Sequence, residues 1–261
     1  MNTTLPKDLL SASLAAVRIQ RPLVQNITNY VVMNNSANAL LAIGASPVMA
    51  HWVREMDEMT AIAGALVINL GTLDDGWIEG MLAAGKAARH RGIPIVLDPV
   101  GAGATSQRTQ AAMKIIDACH PTIIRGNASE IMALMDARVK SKGVDSTASS
   151  DDALEAAKRL ACTTSSVVVI SGATDYITDG TQVHTVTGGS EMMTAVTGMG
   201  CTSTAIIGAF SAVVCNPMEA ATAAMAVMSW AGERAAAYSK GNGSMQVNFL
   251  DELYNLTPEQ L

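Results

Sequence analysis

The stretch Thr197-Gly198-Met199-Gly200-Cys201-Thr202-Ser203 leads directly into the apolar run Thr204-Ala205-Ile206-Ile207-Gly208-Ala209-Phe210. A Gly-x-Gly turn that opens a helix leaves several backbone N–H groups without acceptors, and the helix dipole adds positive character there. Such a place attracts anions. Cys201 sits on it, and a thiol at a helix N-terminus can be pushed toward thiolate. One short segment thus offers an anion hole, at Gly198 and Gly200, and a candidate base, at Cys201. By itself it reads more readily as a tight loop around a buried small residue.

Other chemistry-bearing residues follow apolar runs. Ile93-Pro94-Ile95-Val96-Leu97-Asp98 predicts a strand that delivers Asp98 to its C-terminal end, ahead of Pro99-Val100-Gly101-Ala102-Gly103-Ala104. Pro121-Thr122-Ile123-Ile124-Arg125 does the same for Arg125 and runs into Gly126-Asn127-Ala128-Ser129-Glu130. Asn127 with Glu130 fits a capping box, and a carboxylate there also suits Mg²⁺ beside a polyphosphate. Val167-Val168-Val169-Ile170-Ser171 ends in a hydroxyl. In an open parallel sheet these ends share one rim, so Asp98, Arg125, Ser171 and Cys201 can converge although far apart in sequence. Carboxylates, an arginine, an anion hole and a weak base are the parts that phosphoryl transfer to an alcohol requires.

The elements that must position these groups are legible from the pattern. Strands are expected at Leu23-Val24-Gln25-Asn26-Ile27 and at Ala65-Leu66-Val67-Ile68-Asn69-Leu70. Helices are expected from Asp8 to before Pro22, from Val31 to Ile43, from Met56 to Ala63, from Asp74 to Arg91, and from Ser106 to Cys119. Asp136 to Ser150 reads as a polar surface segment with a turn at Gly143 and Asp145, and Ala153 to Cys162 as an amphipathic helix. Asp179-Gly180 predicts a hairpin between Tyr176-Ile177-Thr178 and Val183-His184-Thr185-Val186, placed at the sheet edge. Pro217 to Lys240 and Met245 to Leu256 close the chain. Strand and helix alternate from residue 23 to residue 171, which predicts an α/β layered fold, mostly parallel, with an antiparallel edge. Gly80-Met81-Leu82-Ala83-Ala84-Gly85-Lys86-Ala87 nearly spells a phosphate loop, but it lies inside a helix and lacks the final hydroxyl.

Composition bounds the function classes. The chain has 261 residues, 49% hydrophobic, with no linker, and reads as a single domain spanning 1–261. Its net charge of −6 gives no broad basic surface for nucleic acid. No run of about 18 apolar residues lacks a polar break, so no membrane span is expected. The N-terminal residues have neither a basic start nor an apolar core, and the four cysteines fit no zinc or paired-thiol spacing, so a cytoplasmic protein with reduced thiols is expected.

At this point whole segments resemble the hydroxyethylthiazole kinases of the ribokinase-like superfamily, over nearly the full chain. They are Pro22-Leu23-Val24, Ile27-Thr28-Asn29, Leu40-Leu41-Ala42-Ile43-Gly44-Ala45-Ser46-Pro47-Val48-Met49, Asn69-Leu70-Gly71-Thr72, Leu97 to Ala104, and Ile124 to Glu130. The resemblance implies ATP-dependent phosphorylation of 4-methyl-5-(2-hydroxyethyl)thiazole, for thiamine synthesis or salvage. It implies Cys201 as the catalytic residue and Arg125 and Ser171 as ATP contacts. Asp98 and Glu130 fall around Mg²⁺, while Met49, Gly198 and Asn29 fall near the thiazole. It further implies a homotrimer with sites at subunit interfaces. Met199 stands where a small residue or Thr is usual, Ser171 where Thr is common, and Tyr30 follows Asn29.

Three alternatives belong beside this reading: a kinase for hydroxymethylpyrimidine, a non-catalytic metabolite-binding protein, and a dinucleotide oxidoreductase. The last is disfavoured because Gly101-Ala102-Gly103-Ala104-Thr105-Ser106 lacks the final glycine of its fingerprint.

Overall fold

The computed structural model describes residues 1–141 and 152–261. Along the chain run β1 (Asn2–Thr3), α1 (Lys7–Gln20), β2 (Leu23–Ile27), α2 (Met33–Ile43), β3 (Ser46–Val48) and α3 (Met56–Ile62). Next come β4 (Ala65–Asn69), α4 (Asp75–Arg91), β5 (Ile95–Asp98), α5 (Ser106–Cys119), β6 (Ile123–Asn127) and α6 (Ala128–Ser141). Then follow α7 (Asp152–Thr164), β7 (Val167–Ser171), the hairpin β8 (Thr174–Thr178) and β9 (Val183–Thr187), α8 (Met199–Ser211), α9 (Pro217–Ala236) and α10 (Asn242–Asn255).

The strands form one sheet in the order β1-β9-β8-β7-β6-β5-β4-β2-β3. From β7 to β3 every neighbouring pair is parallel, whereas β8, β9 and β1 each pair antiparallel. The strand sequences explain this arrangement. Parallel strands covered on both faces need apolar residues at successive positions, and β4 and β7 supply them. Val67, Val96, Ile123 and Val169 face a core shared with α1, α2, α8, α9 and α10. Leu66, Ile68, Leu97, Ile124 and Val168 face the opposite core, under α3 to α7. The result is three layers, with helices on both faces of the sheet.

Local chemistry sets the boundaries. Asp74 caps α4 by accepting from the Trp77 amide at 2.7 Å, and Gly92 ends it in a left-handed conformation. Thr105 caps α5 in the same way. The expected hairpin is present, its turn held by Asp179 Oδ1, which accepts from the amides of Thr181 and Gln182.

Several sequence expectations are corrected. The first helix begins at Lys7 after Pro6 rather than on a cap at Asp8, and α2 begins at Met33 rather than Val31. The hairpin lies one strand in from the edge, because Asn2–Thr3 pairs outside it. Asp136 to Ser141 is the end of α6, not irregular surface, while the turn expected at Gly143 and Asp145 lies outside the described residues. The glycines of the near phosphate loop are packing devices within α4. A Cβ at Gly80 would stand 2.7 Å from the His51 carbonyl oxygen, and one at Gly85 would run into Cys119.

Candidate active site

Because β2, β4, β5, β6 and β7 are parallel, their C-terminal ends open on one rim. Register does the alignment: Asn69 at the end of β4 lies beside Asp98 at the end of β5, and Asn127 lies beside Ser171. Asn29 follows β2 by two residues. Met49 follows β3, which pairs with β2 through Gln25 and Val48, so it occupies the same rim at its far flank. The His51 Nδ1 atom lies 3.2 Å from its carbonyl oxygen.

Asp98 is fully buried and its Oδ2 is crowded with donors. It accepts from Asn69 Nδ2 at 2.9 Å and from the Thr204 hydroxyl at 2.8 Å, with Arg125 Nη1 at 3.7 Å. Its Oδ1 is buried without a partner. Burial pushes this carboxyl up to about 6, against the pull of Arg125 and the Thr204 hydrogen bond.

Helix α8 starts at Met199, with Gly198 as its N-cap at φ +85°, so the amides of Met199, Gly200 and Cys201 have no acceptor within the helix. Only the first glycine of the Gly-x-Gly segment needs a left-handed conformation. Gly200 is helical, and its bareness serves a different purpose: a Cβ there would stand 2.6 Å from Arg125 Nη1. The guanidinium therefore lies across the first turn of α8, next to the free amides. Arg125 Nη2 donates to Ser171 Oγ at 2.5 Å, which fixes its plane.

Arg125, Ser171, Gly200 and Met199 line a cavity of about 580 Å³ whose far wall includes Gly188, Gly189, Met193 and Ser229. That is room for a drug-sized ligand. Cys201 lies on the other side of the helix start, where its sulfur accepts from Asn29 Nδ2 at 3.6 Å. The sequence expectation of a thiol pushed toward thiolate is overturned here. Burial raises Cys201 to about 11, reinforced by the negative Asp98 and only partly offset by Asn69, Asn29 and Arg125. Desolvation is the largest cause of the rise.

Glu130 forms the expected capping box with Asn127: each side chain accepts from the other residue's amide at 2.9 Å. Its second oxygen accepts from the Gly101 amide at 2.9 Å, tying the loop after Asp98 to the start of α6. Among the described residues no group of three metal-binding side chains is gathered. Two carboxylates with one orphaned oxygen suit a divalent cation that takes its remaining ligands from water and phosphates.

The family model for the hydroxyethylthiazole kinase family matches residues 14–259. The chain belongs to that family. A hydroxyethylthiazole kinase from Leptospira biflexa is 54% identical over 248 residues, covering 95% of this chain and 93% of its relative. The solved structure of the hydroxyethylthiazole kinase from Pyrococcus horikoshii OT3 superposes with a TM-score of 0.88 at 42% identity, covering 95% of this chain and 93% of that one. A ribokinase-like superfamily protein from Enterococcus faecalis V583 superposes at 0.66 with 14% identity, covering 97% and 96% of the two chains, which fixes the fold as ribokinase-like.

Within this family member, the sequence reading missed four residues that shape the rim. Asn69 and Thr204 were hidden in a strand and a helix read as apolar. Arg108 reaches from α5 to the carbonyls of Leu70, Val100 and Gly71 at 2.6, 3.0 and 3.0 Å, holding two rim loops together. Asp175 is buried beside the cavity, accepts from the Gly172 amide at 3.0 Å, and is raised to about 6 by burial.

Proposed function

We propose that the protein transfers the terminal phosphoryl group of ATP to the hydroxyl of 4-methyl-5-(2-hydroxyethyl)thiazole, a step in thiamine metabolism. Family membership supports the reaction. The observation that carries the site assignment is Arg125 lying across the open amides of α8 at the mouth of the 580 Å³ cavity. A cationic fork beside unpaired N–H groups is suited to phosphates. The nucleotide then occupies the cavity, with Arg125 and Ser171 at its phosphates, and the amides beyond Gly198 and Gly200 form the anion hole. The acceptor lies on the Cys201 side, near Asn29, Met49 and Gly198.

Asp98 and Glu130 would hold Mg²⁺, which when bound neutralises phosphate charge against an acidic rim. Cys201, in its thiolate form, takes the acceptor proton at its sulfur. With the thiol raised to about 11, that thiolate is a minor fraction near neutral pH, and a loose phosphoryl-transfer transition state asks for little prior deprotonation of the alcohol. Asn29 presents its N–H to that sulfur, a contact that favours the thiolate.

The same reading includes a single-domain chain, assembled as a homotrimer with sites shared between subunits and working in the cytoplasm, where ATP is supplied. Exposed Tyr30, Val31 and Trp52 next to the rim support a subunit contact there. The test is ADP release with ATP, Mg²⁺ and a panel of small alcohols. Expected is turnover that needs all three components and is abolished by excess chelator. Preference for hydroxymethylpyrimidine would overturn the substrate, full activity in chelator the metal, and ligand binding without ADP the kinase reading itself.

A further inference from the structure

Asn69 is 1% exposed, and every polar atom of its carboxamide is engaged. Oδ1 accepts from the Gly71 amide at 2.9 Å and from Asn29 Nδ2 at 2.8 Å, while Nδ2 donates to Asp98 Oδ2 at 2.9 Å. The Gly71 amide can only donate, so the oxygen of Asn69 must face it and the nitrogen must face Asp98. The same logic fixes the next link. Asn29 Oδ1 accepts from the Val31 amide at 3.1 Å, which turns its nitrogen toward Asn69 and Cys201. A Cβ at Gly71 would run into the Asn29 carboxamide, so bare backbone is what lets the two amides meet.

Two backbone amides thus impose one direction on a buried chain of side-chain amides, which ends on Asp98 at one side and on Cys201 at the other, with Asn69 itself also acting on the Cys201 sulfur. We propose that Asn69 is a positioning residue for the transfer reaction: by this one-way hydrogen-bond chain it sets both the Asp98 carboxylate and the Asn29 N–H that faces Cys201. This rests on the kinase reading above. Asn69 has two separable duties, an acceptor duty toward Asn29 on the alcohol side and a donor duty toward Asp98 on the phosphate side.

The variants separate them. Asn69→Ala removes both duties. Asn69→Asp keeps the acceptor and replaces the donor by an oxygen that opposes Asp98. Steady-state kinetics are measured at pH 8 with each substrate varied. Asn69→Ala is expected to lower kcat about 10- to 100-fold, the worth of one hydrogen bond to a charged group, and to raise the thiazole KM. Asn69→Asp is expected to lower kcat similarly while leaving the thiazole KM within about twofold, because Asn29 stays oriented. Equal changes in both parameters for the two variants, or a folded Asn69→Ala within about threefold of the parent, would overturn the proposal.

A second readout does not need turnover. The rate of iodoacetamide alkylation at Cys201, resolved from Cys119, Cys162 and Cys215 by peptide mass, should slow in Asn69→Ala and in Asn29→Ala. Because Asn69 also acts on the Cys201 sulfur directly, the double variant should slow further than Asn29→Ala alone but by less than the product of the two single effects. Additive slowing, or none in Asn69→Ala, would refute the positioning role. If the parent protein forms no ADP with the thiazole, the kinase reading fails while the alkylation result still decides the role of Asn69.

Discussion

Gly200→Ala is the sharpest single test of the phosphate site, because it sets stability and function against each other. Gly200 is helical, so exchanging it for alanine raises helix propensity by up to about 1 kcal/mol, somewhat less in the first turn. The new methyl carbon, however, would lie 2.6 Å from Nη1, 2.9 Å from Nη2 and 3.2 Å from Cζ of Arg125. Carbon contacts relax at about 3.5 Å or more, so the guanidinium must retreat by roughly 1 Å. It cannot swing freely, since its side chain is 11% exposed and Nη2 is held by Ser171 at 2.5 Å.

A displacement of that size takes an arginine out of the 2.7–2.9 Å range of a charge-assisted bond to phosphate, costing about 1.5–3 kcal/mol. The expected result is a KM for ATP raised about 10- to 150-fold, with an unchanged or slightly higher melting temperature. ADP release with ATP varied at saturating thiazole, beside a thermal melt, measures both. Arg125→Ala should reproduce the KM, and the double variant should add little to either single one. An unchanged KM, or additive losses, would refute the placement of Arg125 over the helix start. Gly198→Ala is the internal contrast: at φ +85°, with its methyl 2.5 Å from Val32 Cγ1, it should lower the melting temperature.

Cys201→Ala should lower kcat about 10²–10⁴-fold with little change in either KM, and an Ala variant within about threefold of the parent would remove the base role. Cys201→Asp should match or exceed the parent at neutral pH, since a carboxyl starts near pKa 3.9 and stays ionised after a rise like that of the thiol; an inactive but folded, ATP-binding Asp variant would contradict this. Asp175 is raised to about 6 by burial, so the folded chain holds that proton more tightly than the unfolded one, and stability falls as pH rises from about 4 to 6. Asp175→Asn should therefore be more stable than the parent at pH 8, by up to about 3 kcal/mol, and indistinguishable below pH 4; urea titrations showing the same difference at both pH values would refute it.

What the sequence made legible was the delivery of chemistry to strand ends. Asp98, Arg125 and Ser171 each follow an uninterrupted apolar run, and such runs announce where a buried parallel strand stops. The capping box at Asn127 and Glu130 is a local pattern, and it formed as written. What stayed illegible depends on neighbours in space. Asn69 looked like the last residue of a strand, and its role exists only because β5 places Asp98 beside it. Gly200 looked like half of a flexible turn, whereas its requirement comes from a side chain 75 positions earlier in the chain. The thiol's direction of shift was misjudged because a helix N-terminus is visible in sequence and depth of burial is not.

The placement of Arg125 also bears on why a serine suffices at position 171. A guanidinium 3.7 Å from Asp98 is beyond hydrogen-bond range, so the two attract without being joined. Nη2 is bonded to Ser171, and Nε is buried without a partner. Arg125 is thus oriented by a neutral hydroxyl rather than hydrogen-bonded to a carboxylate. An incoming phosphate would compete only with the loose 3.7 Å ion pair to Asp98, not with a direct hydrogen-bonded carboxylate. Serine and threonine supply the same oxygen for that orientation, while a second carboxylate at position 171 would satisfy the arginine outright and leave the phosphate to compete for it.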